Sequence, residues 1–268
     1  METTVDDLTR HQPFAGLADA LRAEFVKLRT LRSTYWTLFA ALAFNLSFAA
    51  LEAIFLPSQL SNQEKATLDA VRVSLGGSHL SQIAFGVLGV LVITSEYTTG
   101  MIRVTLTAIP QRRLMLAAKV AVFTVTALVV GIAASFAAYF VFQALITGDS
   151  FRSSIGDPGV IRALIGGGLY LAVLGLLGLG LGAIIRSSTG AITAVFSLLF
   201  VPQLLVELLP ESWKTTIGAY LPMEAGSQIF SQHRELGALA PWTGFAVFSL
   251  YAVTAIVTAF VLISQRDA

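Results

Sequence analysis

The residues able to do chemistry are few and widely scattered. The 268-residue chain has no cysteine and three histidines, His11, His79 and His233. Disulfides and thiolate metal sites are excluded by composition. No H-E-x-x-H pair, G-x-S-x-G turn or G-x-x-x-x-G-K-[ST] phosphate loop occurs, so neither hydrolytic catalysis nor unaided ATP hydrolysis is expected, and no catalytic or metal residue is assigned. The most informative polar segment is Ser95–Lys119, with Glu96, Tyr97, Gly100, Arg103, Pro110, Arg112, Arg113 and Lys119. Such side chains suit ionic and hydrogen-bonded contact with a partner rather than bond-making. Asn45, Gln82 and Gln203 lie inside apolar runs, where an amide can line a polar path or bond two helices together.

The elements that hold these residues follow from composition. Hydrophobic residues make up 55% of the chain and charged ones 12%, against roughly 25% charged in soluble domains. A hydrocarbon core needs about 20 apolar residues per helix, and barrel strands would alternate with period two, which these runs do not. The expected fold is therefore all-α: a polytopic membrane protein with six transmembrane helices. The spans are placed at about 35–56, 75–94, 120–146, 163–185, 191–209 and 242–263. The second is the weakest, because its outer half must include Ser78, His79, Ser81 and Gln82.

Charge orients the bundle. With six spans, one side holds Arg10, Arg22, Lys27, Arg29, Arg32, Arg103, Arg112, Arg113, Lys119, Arg186 and Arg266, eleven of the 17 Lys and Arg residues. The positive-inside rule puts that side, and both termini, in the cytoplasm. A multi-pass protein of the cell membrane results, with a cytoplasmic N-terminal arm over 1–34 and a cytoplasmic tail over 265–268. Phe14, Leu17, Leu21, Phe25, Leu28 and Leu31 recur at steps of three and four, the stripe of an amphipathic helix lying along the inner surface. Arg22, Lys27 and Arg29 fall off the stripe, towards lipid headgroups. A net charge of +1 offers no field for nucleic acid.

Within the inner loop 95–119, proline is favoured in a first helical turn, so Pro110 opens the third span and leaves a separate two-turn helix at about Thr99–Thr107. So short a helix is marginal alone and needs a surface to hold it. The order Glu96-Tyr97, Gly100, Arg103, Leu106, Pro110, Arg112-Arg113 and Lys119 resembles the cytoplasmic loop of type-2 ABC transporter permeases, the exporter-type membrane subunits of ATP-binding-cassette systems. The resemblance extends to an interfacial N-terminal helix, six spans and a helical excursion before the last. It implies that the loop carries a coupling helix contacting a cytoplasmic ATP-binding-cassette subunit through Glu96, Tyr97, Gly100 and Arg103. It also implies a second permease subunit, as homodimer or heterodimer, with ATP and Mg held by the partner and no cofactor on this chain.

Before the last span, 210–241 is too broken by Pro210, Gly218 and Pro222 to cross, and reads as re-entrant or interfacial helices at the outer face. The fourth span is rich in glycine. Its Gly178 and Gly182 form a GxxxG pair that lets helices approach closely, unless the bilayer simply tolerates them. Six spans with small outer loops suit an exporter of a hydrophobic or amphipathic molecule (drug, antibiotic, peptide or lipid), and the preference for arginine over lysine points to a bacterial membrane. An ion-coupled secondary transporter would need broken spans in two halves and a midplane ionisable group. A non-transporting scaffold or sensor component would share the architecture.

Overall fold

The computed structural model describes residues 16–61, 68–108, 111–148, 152–232 and 237–265. Its elements in chain order are α1 (Leu17–Thr30), α2 (Arg32–Gln59), α3 (Ala70–Ser74), α4 (Ser78–Thr98), α5 (Met101–Ala108), α6 (Arg112–Leu145), α7 (Val160–Ile185), α8 (Ser188–Val206), α9 (Glu211–Gly218), α10 (Pro222–Ser227), a single 3-10 turn at Gln228–Phe230, and α11 (Pro241–Gln265). Six helices, α2, α4, α6, α7, α8 and α11, are long and apolar enough to cross a membrane. The chain is an all-helical, multi-pass membrane protein.

The second span begins differently from its sequence reading. In place of one helix from residue 75, Asp69 caps the five-residue α3 by accepting from the Arg72 amide at 2.9 Å. A turn follows, and α4 starts at Ser78 and runs to Thr98, four residues past the expected end. The cause is the pair Gly76-Gly77, which lets this turn lie flat on α2. A Cβ at Gly76 would come within 2.6 Å of the Phe48 ring, and one at Gly77 within 2.7 Å of the Asn45 Cα. The polar residues that weakened the span are put to use, since the Ser81 hydroxyl donates to the Ala41 carbonyl at 2.7 Å.

α4 and α7 are the inner helices, buried over most of their length, while α2, α8 and α11 turn most of theirs outward. Glycine sets the spacing. A Cβ at Gly89 would lie 1.9 Å from the Gly175 carbonyl oxygen, and one at Gly178 2.5 Å from that of Gly86. The α4 and α7 backbones therefore touch, a packing that glycine permits and that gains dispersion contacts where lipid supplies no hydrophobic drive. On another face of α7, Gly168 meets the backbone of Ile132 on α6.

Beyond the far end of the bundle, α9, α10 and the 3-10 turn make a folded cap. Ile229 and Phe230 are fully buried. Tyr170 of α7 stacks on Phe248 of α11 at 5.1 Å and meets Phe230 edge-on at 5.5 Å, so the cap is wedged between two membrane-length helices. Trp213 and Tyr220 remain on its surface.

Candidate functional site: a charged junction at the end of the second span

α6 has 34 residues, about 50 Å at 1.5 Å per residue against a hydrocarbon core of about 30 Å. Its first turns therefore extend past the apolar layer, and Lys119 sits in that region. The side chain is nonetheless 2% exposed. Its Nζ donates to Glu24 Oε2 at 2.6 Å, Glu96 Oε1 at 2.8 Å and the Val92 carbonyl at 3.3 Å. Lys27 Nζ donates to Glu24 Oε1 at 2.8 Å, Glu96 Oε1 at 2.9 Å and Thr105 Oγ1 at 3.3 Å. An ammonium has three N–H donors, so both lysines are fully used. Two cations and two carboxylates cancel, as buried charge requires. The quartet joins α1, α4 and α6, and its Thr105 contact adds α5.

The sequence places each of the four by simple means. Glu24 and Lys27 stand three apart on α1, on the face that also buries Ala20 and Leu28, while Leu17, Phe25 and Val26 face outward. Lys27 was expected to reach lipid headgroups; it turns inward instead, because two carboxylates outbid water. Burial draws its pKa down, but the hydrogen bonds and charges of Glu24 and Glu96 outweigh this and leave it above the ordinary lysine value. Arg22 and Arg29 stay exposed.

Glu96, expected as a partner contact, is 6% exposed and directs Oε1 to the two lysines. Gly100 follows the C-cap Thr99 with φ of +70°, and a Cβ there would meet nothing within 4 Å. Glycine is needed at that position for its left-handed backbone, not for space. It turns the chain out of α4 and into α5. There Ile102 and Thr105 face the bundle, while Met101 and Val104 are 50% and 65% exposed. The side chains of Arg103 and Leu106, and the whole of Pro110, lie outside the described residues. A cavity of about 300 Å³ opens between α1 and the α4–α5 turn, lined among others by Leu28, Leu31, Ser95, Thr99 and Met101.

Tyr97 points the other way from Glu96. The Arg186 guanidinium lies over its ring, 5.3 Å from the centroid. Arg186 belongs to the two-residue link between α7 and α8, and beside it the Ser188 hydroxyl donates to Thr94 Oγ1 of α4 at 2.8 Å.

The remaining residues singled out by sequence lie elsewhere. Asn45 is fully buried against the Gly76-Gly77 turn, its amide without a hydrogen-bond partner among the described residues. Gln82 is buried and accepts from the Tyr170 hydroxyl, its Nε2 facing Met223 Sδ at 3.6 Å, an arrangement that ties α4 to α7 and α10. Gln203 borders a cavity of about 310 Å³ at the opposite end, with Glu207, Lys214 and Glu224. Gly178 and Gly182 both face α4, at Gly86 and at Ile93. Sequence reasoning did not assign Glu24, Lys27, Lys119 or Arg186 to the junction, nor Gly89 to the α4–α7 crossing. Gly86 and Gly89, one helical turn apart, were the available signal for that contact.

Six membrane-length helices, with the short helix α1 pinned by charge at one end, define a polytopic membrane protein. The chain belongs to the ABC-2 family of transporter proteins: the family model described as ABC-2 family transporter protein matches residues 20–202. That stretch runs from α1 into α8 and includes every residue of the charged junction. Permeases of this family are membrane subunits that normally work with an ATP-binding subunit. A search of the curated proteins finds no match.

Proposed function

We propose that this chain is the permease half of an ATP-driven exporter in the cell membrane, with the junction end and both termini in the cytoplasm. The observation that carries the reading is α5: two turns of helix held beyond the end of α4 by Gly100 and the ionic quartet, with Met101 and Val104 presented outward. A helix this short does not persist in water unaided. Its inward face is anchored, and its outward face offers an apolar ridge to a groove in an ATP-binding subunit.

Nucleotide and Mg then reside on the partner, and a second membrane subunit completes the pathway. The broad apolar surfaces of α2, α8 and α11 leave room for both lipid and that subunit. The cargo class that fits a bundle with small outer loops is a hydrophobic or amphipathic molecule.

The test is copurification from native membranes in mild detergent. An ATP-binding subunit should accompany the wild-type chain and be lost from a Met101→Glu, Val104→Glu double variant that still inserts and runs as a folded species. A well-folded wild type without any ATPase partner would overturn the assignment and favour ion-coupled transport.

A further inference from the structure

Among the described residues, Arg186 is the only non-glycine residue with a positive φ, +59°. It is the C-cap of α7, with its N–H on the Gly182 carbonyl at 2.9 Å. Glycine is the ordinary occupant of a left-handed helix end, because any Cβ is crowded there. A strained backbone kept by a long cationic side chain is a reason to ask what that side chain holds. It holds Tyr97, one residue from Glu96 and three before the Gly100 turn.

The link it belongs to is short. α7 ends at Ile185 and α8 begins at Ser188, with Ser187 capping α8 through the Gly190 amide at 3.4 Å. A two-residue link has no slack, so whatever grips Arg186 grips the start of α8. α8 is among the least enclosed of the six long helices. Besides the Arg186–Tyr97 contact, the Ser188–Thr94 hydrogen bond ties the same hairpin to α4, one turn earlier. The end of α4 therefore divides its contacts, with Glu96 engaging α1 and α6 and Tyr97 engaging the α7–α8 hairpin.

We propose that Arg186 is a positioning residue, clasping Tyr97 so that the start of α8 follows the end of α4 when the partner displaces α5. The clasp rests on the permease reading above. Its backbone geometry provides an unusual test: Arg186→Gly removes the clasp while relieving the strain, so a purely structural cap would be improved by it. Tyr97→Leu removes the same contact but keeps the cation, which separates the clasp from a role for Arg186 as inner-face charge.

The chain has no native cysteine, so Thr189→Cys on α8 and Gln265→Cys on α11, both exposed, can be spin-labelled in the full complex with its ATP-binding subunit. Distances are compared without nucleotide and with ADP–vanadate. A nucleotide-dependent shift in the otherwise wild-type chain is expected, lost in both Arg186→Gly and Tyr97→Leu, kept in Tyr97→Phe, with the thermal midpoint of Arg186→Gly unchanged or raised. A shift that persists in Arg186→Gly, or its absence from the wild-type complex, overturns the clasp and leaves the permease reading standing. Failure of any ATP-binding subunit to copurify with wild type instead sinks the permease reading and the clasp with it.

Discussion

Removing Lys119 should damage the protein more than removing Lys119 and Glu96 together. With Lys119 gone, Glu24 and Glu96 face each other across the junction with Lys27 as their only cation of the quartet, and the group carries net charge −1. Both carboxylates are nearly inaccessible, with side chains 3% and 8% exposed. Breaking a buried ionic pair by deleting one partner costs about 3–5 kcal/mol, and here two buried carboxylates are left to share the single ammonium of Lys27. On the scaling of soluble chains, about 2–4 °C per kcal/mol, Lys119→Met should lower the thermal midpoint by roughly 6 °C or more.

The double variant Lys119→Met, Glu96→Gln leaves Glu24 and Lys27 paired at 2.8 Å and no unmatched charge. It should recover more than half of that loss, since replacing a buried pair by uncharged groups of similar size is often close to neutral. The assay is the thermal midpoint in mild detergent, read by size-exclusion chromatography after heating, for wild type, both single variants and the double. Additive losses would refute the coupling. So would a Lys119→Met variant within 2 °C of wild type, an outcome that would make Lys119 only one more inner-face positive charge.

Gly100→Asn should be tolerated better than Gly100→Val, by about 1 kcal/mol, because asparagine visits the left-handed region and a β-branched residue does not; equal thermal midpoints would mean the α4–α5 turn does not need φ of +70°. Gly89→Ala should cost several degrees of thermal midpoint or prevent folding, since its Cβ would sit 1.9 Å from the Gly175 carbonyl oxygen, whereas Gly86→Ala, with nothing nearer than 3.4 Å, should be mild. Matched behaviour of the two would place the α4–α7 crossing elsewhere. Lys27 has a folded-state pKa above its ordinary value, so its stabilisation is complete below about pH 10.4 and fades as pH rises through the folded-state value. The difference in stability between wild type and Lys27→Met should stay flat from pH 6 to 9 and shrink only in strong alkali; a difference that shrinks between pH 6 and 9 would contradict the raised pKa.

The six long helices were legible because lipid imposes a requirement that sequence cannot hide: about 20 apolar residues for each crossing. Even the weak second span was recoverable, since the distribution of arginine and lysine demanded a crossing there. The Gly76-Gly77 break was harder to see. Whether two glycines end a helix or are carried within it depends on what lies against them, here Phe48 and Asn45 from a helix about 30 residues away. The α5 helix was anticipated at nearly its observed limits, whereas the reason for Gly100 was not: a partner contact and a left-handed turn leave the same letter in the sequence.

The quartet was missed for a different reason, and the residues around it show what should have exposed it. The positive-inside rule accounts for a lysine near a span without asking where its side chain points, and it gives carboxylates almost no weight. Although Pro110 was read as opening the helix of the third span, Lys119 was counted with the inner loop, where inner-face charge explained it. Once the helix begins at Arg112, the neighbours of Lys119 at three and four residues are Met115, Leu116, Val122 and Phe123, all buried. A lysine in that setting lies on the packed face and requires a carboxylate. The same test applied to Glu96 finds Val92, Ile93, Thr99 and Gly100, with no basic residue among them, so its counter-ion has to come from another element. Two charges of opposite sign, each stranded on an apolar helix face at the same end of adjacent spans, are each other's most economical partner. That inference needs only helix periodicity and the cost of buried charge, and it extends to any membrane helix whose terminal charge lacks a local mate.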